Sequence, residues 1–395
     1  MRYEYLIVGG GMTAAAAADA IRKSDRNGTV GIISSDRHPP YARPPLSKAL
    51  WKGEPESSIW KGTDKLGVDL RLGSRATAID AGAKTVTDDR SNGIGYDKLL
   101  LATGGTPRRL PIEGDEIIYF RTYDDYRNLR ALADDKKRFA VLGGGFIGSE
   151  IAAALRTVGC DVVMLIPEDG IGARVFPAEL SRFLVTYYQE QGVDVRTGQA
   201  LASLSRVGKE LVLKPTHGEE VRVDAVVAGI GIQPNVELAV QAGLRVDNGI
   251  VVDEHLRTSA PGIFAAGDVA NFFNPALDAR LRVEHEDNAN TMGAAAGRAM
   301  TGDETPYTHL PFFYSDLFAL GYEAVGELDP RLETMSDWKE PFREGVIYYL
   351  KGGRVRGVLL WNTWGQVDAA RALIAERGTV RAQQLKGRIS APATA

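Results

Sequence analysis

Cysteine is almost absent: the 395 residues contain one, Cys160. A lone thiol has no partner within the chain, so there is no Cys-x-x-Cys redox pair, and any flavoenzyme that passes electrons through its own dithiol is excluded. Cys160 stands just before the apolar run Val162 to Ile166 and reads as a small buried residue. The lack of disulfides suits a reducing, cytoplasmic compartment. Histidine is scarce too, and His38, His217, His255, His285 and His309 form no metal-like spacing, so no metal is expected. No apolar run reaches the roughly 18 residues of a membrane helix. Charge of one sign is not in excess: the net charge of −4 creates no field that would draw nucleic acid or an anionic membrane. Walker loops, zinc motifs and nucleophile–base sets are also missing. What is left is an ordinary globular composition, 44% hydrophobic and 25% charged, on a chain long enough for two or three domains.

Glycine is plentiful, and two glycine-rich loops stand out. The first is Val8-Gly9-Gly10-Gly11-Met12-Thr13-Ala14 and the second Leu142-Gly143-Gly144-Gly145-Phe146-Ile147-Gly148. Each follows a short apolar run (Tyr5 to Val8; Phe139 to Leu142) and opens into an Ala-rich, helix-favouring stretch. The first Gly makes the tight turn out of the strand, and the second lets backbone N–H groups approach a pyrophosphate at a helix N-terminus. The third position, Ala14 or Gly148, must be small so that helix and strand pack closely. Two loops in the same strand–loop–helix context predict two bound dinucleotides and therefore electron transfer. Arg2, an apolar stretch and an Ala run imitate a secretory signal, but the stretch carries Glu4 and holds the first loop, so it reads as structural.

The loops belong to a diverged internal repeat. Gly9 answers Gly143, and Gly67-Val68-Asp69-Leu70 answers Gly192-Val193-Asp194-Val195 at a shorter offset. Each copy continues in short strands and turns, Thr77 to Asp80 with Lys84 to Thr87, and Leu201 to Leu204 with Glu210 to Leu213. Each then closes in an apolar strand running into a Gly/Pro turn, Leu99 to Pro107 and Val226 to Pro234. So each copy reads as a βαβ unit plus an antiparallel meander. The extra residues of copy one fall at the Pro-rich stretch His38 to Lys48, which cannot continue a sheet strand and would hold its cations rigidly. Beyond copy two come a buried strand ending in Gly267-Asp268, a helix led by Arg282-Val283-Glu284-His285 and running through Met300, and an aromatic-rich region of short strands from about Pro306. A helix is expected near Gln366 to Glu376 and a disordered tail after about Lys386. The fold class is α/β: two Rossmann-like dinucleotide-binding domains and a C-terminal α+β domain. The expected boundaries are 1–114 with 233–305, then 115–232, then 306–395.

An acid that holds an adenosine ribose lies beyond the glycines, at the end of the second strand. In copy two Glu168 stands there and favours NADH over NADPH, since a carboxylate repels a 2′-phosphate; the nearby Arg174 softens that preference. In copy one Ser35 and Asp36 share the place, and either serves the ribose.

With these motifs in hand, the chain from Tyr5 to about Gly378 resembles the pyridine-nucleotide-dependent flavoprotein reductases, and within them the apoptosis-inducing-factor-like branch. The resemblance is carried by Arg43-Pro44-Pro45-Leu46-Ser47-Lys48, Ala102 to Arg108, Gly143 to Glu150, Arg282 to His285, Ser315-Asp316-Leu317 and Gly321-Tyr322-Glu323-Ala324. It implies glutathione-reductase-like FAD and NAD domains, with FAD on copy one and NADH on copy two. For FAD it implies Gly9, Gly11, Met12, Thr13 and Ala14, with Arg43, Ala76, Thr103, Gly104, Arg121 and Asp268, the last on the ribityl chain. For NADH it implies Gly143, Gly145, Ile147 and Gly148, Phe146 stacked over the flavin until nicotinamide displaces it, and Glu168, Gly231, Glu284 and Glu323. His285 and Tyr314 are implied near the flavin ring, where a Trp is common at the position of Tyr314, and Asn362 is a further implied cofactor residue. Lys48 is implied beside the flavin, paired with Glu150. A cation near the N5 edge stabilises negative charge on reduced flavin, and a carboxylate orients the lysine and lowers its desolvation cost. Hydride transfer itself needs only orientation and electrostatics from the protein. Lys48, Glu150, Phe146 and His285 are the residues expected to act in the reaction.

The expected activity is FAD-dependent oxidation of NADH, with electrons passed to a separate acceptor: a small iron–sulfur protein, a quinone or another small molecule. The rival reading is a redox sensor that keeps a long-lived NADH charge-transfer complex and changes its association state, as a redox-dependent homodimer. Compared with the mitochondrial members of the branch, the chain is expected to lack an N-terminal targeting segment, and Glu340 to Gly345 is a short link where they carry a long insertion. Both departures, with the negative charge, speak against nucleic-acid partners.

Overall fold

The computed structural model describes residues 1–135 and 137–389. They fall into two compact units, 1–43 with 55–106 and 233–311, and 44–54 with 107–232 and 312–395. This partition keeps Pro44–Glu54, the segment that carries Lys48, with the second unit.

The first unit is built on the strand Arg2–Val8. It pairs in parallel with Val30–Ser34 on one side (Val8 opposite Ile33) and with Gly93–Leu101 on the other (Val8 opposite Leu101). Asp69–Leu72 adds to Val30–Ser34, and Ile263–Ala265 adds in parallel to the far end of Gly93–Leu101. The central stretches Leu6–Val8, Ile32–Ile33 and Leu99–Leu101 are Val, Ile and Leu because both faces are covered there, and Leu6, Ile7, Ile32, Leu99, Leu100 and Leu101 are fully buried. The meander of copy one, Ala76–Asp80 and Thr85–Asp88, pairs antiparallel onto the start of Gly93–Leu101. That long strand therefore joins the meander and the parallel strands in one seven-stranded sheet. Helix Met12–Ser24 packs on helix Glu286–Met300, and the contact is close because alanines face glycines. A Cβ on Gly293 would lie 2.5 Å from the Thr13 carbonyl oxygen.

The second unit repeats the strand order. Asp194–Thr197, Asp161–Ile166, Arg138–Leu142 and Ala225–Ala228 lie side by side in parallel, with Ile117–Tyr119 beyond. The repeat read from the glycines is thus a repeat of topology. Here the meander stands apart as a three-stranded sheet of Leu201–Val207, Glu210–Pro215 and Val221–Val223, because Asp224 interrupts the chain before Ala225–Ala228. Its carboxylate accepts from the Arg138 backbone N–H at 2.8 Å. Cys160 is fully buried, as expected. The aromatic-rich region is an antiparallel sheet in the order Phe312–Leu317, Leu320–Gly326, Arg354–Trp361, Glu344–Lys351, Glu333–Glu340, with helix Val367–Ala375 packed on it. The short link Glu340 to Gly345 closes the hairpin of Glu333–Glu340 and Glu344–Lys351, and the Arg343 guanidinium lies 5.4 Å from the ring centres of Phe183 and Tyr187.

One expectation is corrected. Disorder was expected to begin after about Lys386, yet residues 387–389 are held. Ile389 is buried and its N–H reaches the Tyr348 hydroxyl, while Arg388 pairs with Glu376 at 2.7 Å. The remainder of that expected tail, 390–395, lies outside the described residues.

Candidate functional site

In the first unit the glycine loop is set by steric need. Gly9 has φ +121, and a Cβ there would collide with the Ala102 carbonyl. Strand Arg2–Val8 can therefore turn sharply against the loop that carries Thr103 and Gly104. Gly11 is the N-cap of helix Met12–Ser24, extended at φ −92, with no side-chain cap and no atom within 4 Å of an added Cβ. Ala14 is buried at the third position. A helix start with unsatisfied N–H groups facing open space is an anion site by construction. A Cβ on Gly267 would collide with Thr13, so the turn bearing Asp268 lies against the same helix start. Thr103 donates through its hydroxyl to the Asn235 carbonyl at 2.7 Å, and the Asn235 amide returns a bond to the Thr103 carbonyl at 2.9 Å.

At the end of the second strand both Asp36 oxygens are committed to their own loop, accepting from the His38 backbone N–H at 3.0 Å and the Tyr41 hydroxyl at 2.9 Å. Ser35 is exposed. Arg43 lies 6.0 Å over the Tyr41 ring. Ala76 opens the first meander strand. Glu284 is exposed and pairs with Arg282 at 2.7 Å, and Arg282 also donates to the Asp268 carbonyl. His285 is the N-cap of helix Glu286–Met300. Loss of solvent around its imidazole pushes its pKa down to about 4, against the opposing pull of Asp268 and Asp287, so the ring is neutral near pH 7.

The second unit carries the matching helix start. Gly145 is extended at φ −79, uncapped by any side chain, and an added Cβ would come no closer than 3.9 Å to an atom, the Gly229 carbonyl oxygen. Gly148 differs, since its Cβ would collide with the Gly143 carbonyl. Glu168, at the end of the second strand, is bound by Arg174 at 2.6 Å while Arg174 stays 83% exposed. Gly231 has φ +88 and accepts from the Arg108 N–H. Arg121 precedes helix Tyr123–Asp134, whose Thr122–Asp125 capping box fixes that corner. Phe146 packs on Phe313 with ring centres 5.0 Å apart, Ile147 is exposed, and both border the open helix start. Two helix starts of this kind fit two dinucleotide pyrophosphates.

One turn along from Phe146, on the same helical face, Glu150 is 3% exposed. Its Oε1 is 2.7 Å from Lys48 Nζ. The same Oε1 accepts from the Ser315 hydroxyl at 2.6 Å, and Oε2 accepts from the Ser47 hydroxyl at 2.5 Å. Removing one partner of so buried a pair costs about 3–5 kcal/mol, because the other charge is left uncompensated. Tyr188 and Tyr322 lie near; burial first, then the negative charge of Glu150, holds both phenols well above their ordinary range. Lys48 also lies 5.2 Å from the centre of the Tyr314 ring. The pairing of Lys48 with Glu150 is therefore a feature of the structure, and the two serines are partners that the sequence reading did not single out. Their signal was positional: Ser47 precedes Lys48, and Ser315 is a polar residue on the inward side of Phe312–Leu317, between Phe313 and Leu317.

Two expected residues bond backbone groups of neighbouring segments of the C-terminal sheet region. Asn362, at φ +47, accepts from the Gly321 N–H at 2.7 Å and donates to the Arg343 carbonyl at 2.9 Å. Glu323 accepts from the Gly365 N–H at 2.9 Å.

Residues 3–293 match the pyridine nucleotide-disulphide oxidoreductase family. The chain belongs to that family. Residues 296–341 and 336–376 match the C-terminal domain of mitochondrion-associated apoptosis-inducing factor. The chain is 36% identical to a Burkholderia cepacia ferredoxin–NAD(+) reductase component of an anthranilate 1,2-dioxygenase system, covering 96% of each chain. It is 33% identical to the mitochondrial apoptosis-inducing factor 1 of Dictyostelium discoideum, over 96% of this chain and 79% of that one. Among solved structures it superposes on putidaredoxin reductase, in a covalent complex with putidaredoxin, with a TM-score of 0.90 at 30% identity, covering 97% of this chain and 95% of that one. The family's cofactors are FAD and NADH, and they agree with the two open helix starts. The disulphide of the family name has no counterpart here, since there is one cysteine. Among the described residues no cluster of metal ligands occurs and no helix is long and apolar enough to cross a membrane.

Proposed function

We propose that the chain is an FAD-dependent NADH oxidoreductase whose electrons pass to a small ferredoxin-like iron–sulfur protein. The observation that carries this reading is the pair of helix starts at Gly11 and Gly145, each without a side-chain cap and with room for an added Cβ. FAD, when bound, supplies the acceptor for a hydride from NADH and the donor for single electrons to the partner. The backbone N–H groups beyond Gly11 would hold its pyrophosphate, with Asp268 at the ribityl chain. Those beyond Gly145 would hold the pyrophosphate of NADH, with Glu168 on its ribose once Arg174 releases it. Phe146 would cover the flavin until nicotinamide takes its place. Lys48, oriented by Glu150, would place positive charge where reduction adds negative charge. Neutral His285 would shield the ring without adding charge. The relatives named as ferredoxin reductases support the iron–sulfur acceptor over a quinone.

Stopped-flow reduction by NADH followed by a panel of ferredoxin, quinone and oxygen tests the reading. Fast reoxidation by an added ferredoxin is expected. Reoxidation over minutes by every acceptor would refute it. The likeness to apoptosis-inducing factor over 96% of the chain favours a second reading, an NADH-responsive homodimer; an elution volume on size exclusion that NADH leaves unchanged removes it.

A further inference from the structure

We infer that Ser315 is a positioning residue for the Lys48–Glu150 pair, and that with Ser47 it pins both oxygens of the Glu150 carboxylate so that the Lys48 ammonium is held in one place. The inference rests on the proposed function only through the role given to Lys48; the pinning itself lies wholly within the second unit.

A glutamate side chain ends in a soft torsion, about which the carboxylate turns through a broad, nearly two-fold well. One partner on one oxygen does not stop that turn, whereas a donor on each oxygen does. Ser47 holds Oε2 at 2.5 Å and Ser315 holds Oε1 at 2.6 Å, the oxygen it shares with Lys48 at 2.7 Å. The two serines come from separate elements, one from the turn Pro44–Ser47 and the other from strand Phe312–Leu317. Ser47 is 4% exposed and Ser315 1%, so water has no access to replace either hydroxyl. Tyr322 lies beside this group, and burial first, then the negative charge of Glu150, holds its phenol well above the ordinary range. Among the described residues, Lys48, Tyr188 and Tyr322 are charged or titratable groups that face Glu150.

Ser315→Ala leaves Oε1 to Lys48, so that oxygen follows the flexible ammonium instead of fixing it. The test uses the FAD-loaded enzyme, with Lys48→Ala marking the full effect of losing the cation. The flavin midpoint potential, measured by dithionite titration without NADH, should fall in Ser315→Ala in the same direction as in Lys48→Ala and by less. The limiting rate of flavin reduction by NADH should fall about three- to tenfold, since a hydrogen bond to a charged group is stronger than a neutral one and only part of it is lost by repositioning. The KM for NADH should stay within about twofold, and Ser315→Thr should restore both quantities. Asp316→Asn, which breaks the neighbouring ion pair to Lys52 on the same strand, controls for strand disturbance and should leave both unchanged. A wild-type potential and rate in Ser315→Ala overturns the inference, as does an equal effect from Asp316→Asn. Should Ser315→Ala give no soluble protein, Ser47→Ala, acting on the other oxygen, decides by the same readouts. If NADH fails to reduce the wild-type flavin, the proposed function falls, while the dithionite potentials still decide the positioning role.

Discussion

Replacing Gly145 by alanine separates nucleotide binding from folding. The backbone there is extended at φ −79, which alanine adopts freely, and the added Cβ would stand 3.9 Å from its nearest neighbour, an ordinary contact. The cost to the fold is that of a poorer N-cap, about 0.5–1 kcal/mol. The cost to binding is larger, because the methyl group occupies the space in front of the helix N–H groups, through which a phosphate must approach. Losing one or two charge-assisted hydrogen bonds forfeits about 2–4 kcal/mol, a rise in the NADH dissociation constant of roughly 30- to 1,000-fold. Stopped-flow reduction over a range of NADH concentrations reads that constant. FAD content and the limiting rate should stay near wild type, and the urea midpoint should move little. Gly148→Ala gives the contrasting case: its Cβ would collide with the Gly143 carbonyl, which is backbone and cannot swing away. It should lower the stability of the second unit by about 1–3 kcal/mol as overpacking does. A Gly145→Ala enzyme with an NADH dissociation constant within threefold of wild type would refute the assignment of this helix start to the dinucleotide.

Arg174→Ala should free the Glu168 carboxylate, now held at 2.6 Å, and lower the KM for NADH about two- to threefold, since an exposed ion pair is weak; a KM that rises instead places Arg174 on the nucleotide. His285→Gln addresses pH. The folded-state pKa of about 4 lies below the ordinary 6.5, so between those values the unfolded chain takes up a proton that the folded chain refuses. Stability is therefore intact above about pH 6.5 and is lost as pH falls toward 4, by about 2 kcal/mol once the partial exposure of the ring is discounted. His285→Gln should flatten that part of the urea-stability profile, and a profile that coincides with wild type would show that His285 is not the titrating group.

The parts of this molecule that were legible in the sequence are those whose cause is local. A strand, a glycine turn and a helix start are consecutive in the chain, so both loops, both parallel-sheet copies and the helix at Val367–Ala375 could be read directly. The differing fates of the two meanders could not. They turn on whether one strand runs unbroken, as Gly93–Leu101 does, or is interrupted, as at Asp224. The bonds that polar side chains make were equally hidden: Asn362 holds Gly321 and Arg343, and Asp36 holds His38 and Tyr41. Lys48 and Glu150 were linked through family resemblance, since nothing local joins a Pro-rich turn to a distant helix. Ser315 lies farther still along the chain, and only the assembled second unit brings it to the same carboxylate.

The lone cysteine and the serine-pinned pair bear on one question, namely what the protein can use to control its electrons. Cys160 is fully buried, with its sulfur 3.5 Å from the Ala133 carbonyl, and has no second thiol to form a disulfide, so control cannot come from storing electrons on sulfur. It must come from the electrostatics around the cofactor. Lys48 and Glu150 together carry no net charge, so their effect on a third group depends on which end lies nearer. For a group about 4 Å from the ammonium and about 6.5 Å from the carboxylate, an effective dielectric of about 20 gives ~1.6 kcal/mol of stabilisation for a negative charge. Let the ammonium recede by about 1 Å and that figure halves to ~0.8 kcal/mol, a factor of roughly four in rate if it is expressed in the transition state. A net-neutral pair is thus a lever whose strength lies in its geometry, and that geometry is what a hydroxyl on each carboxylate oxygen preserves.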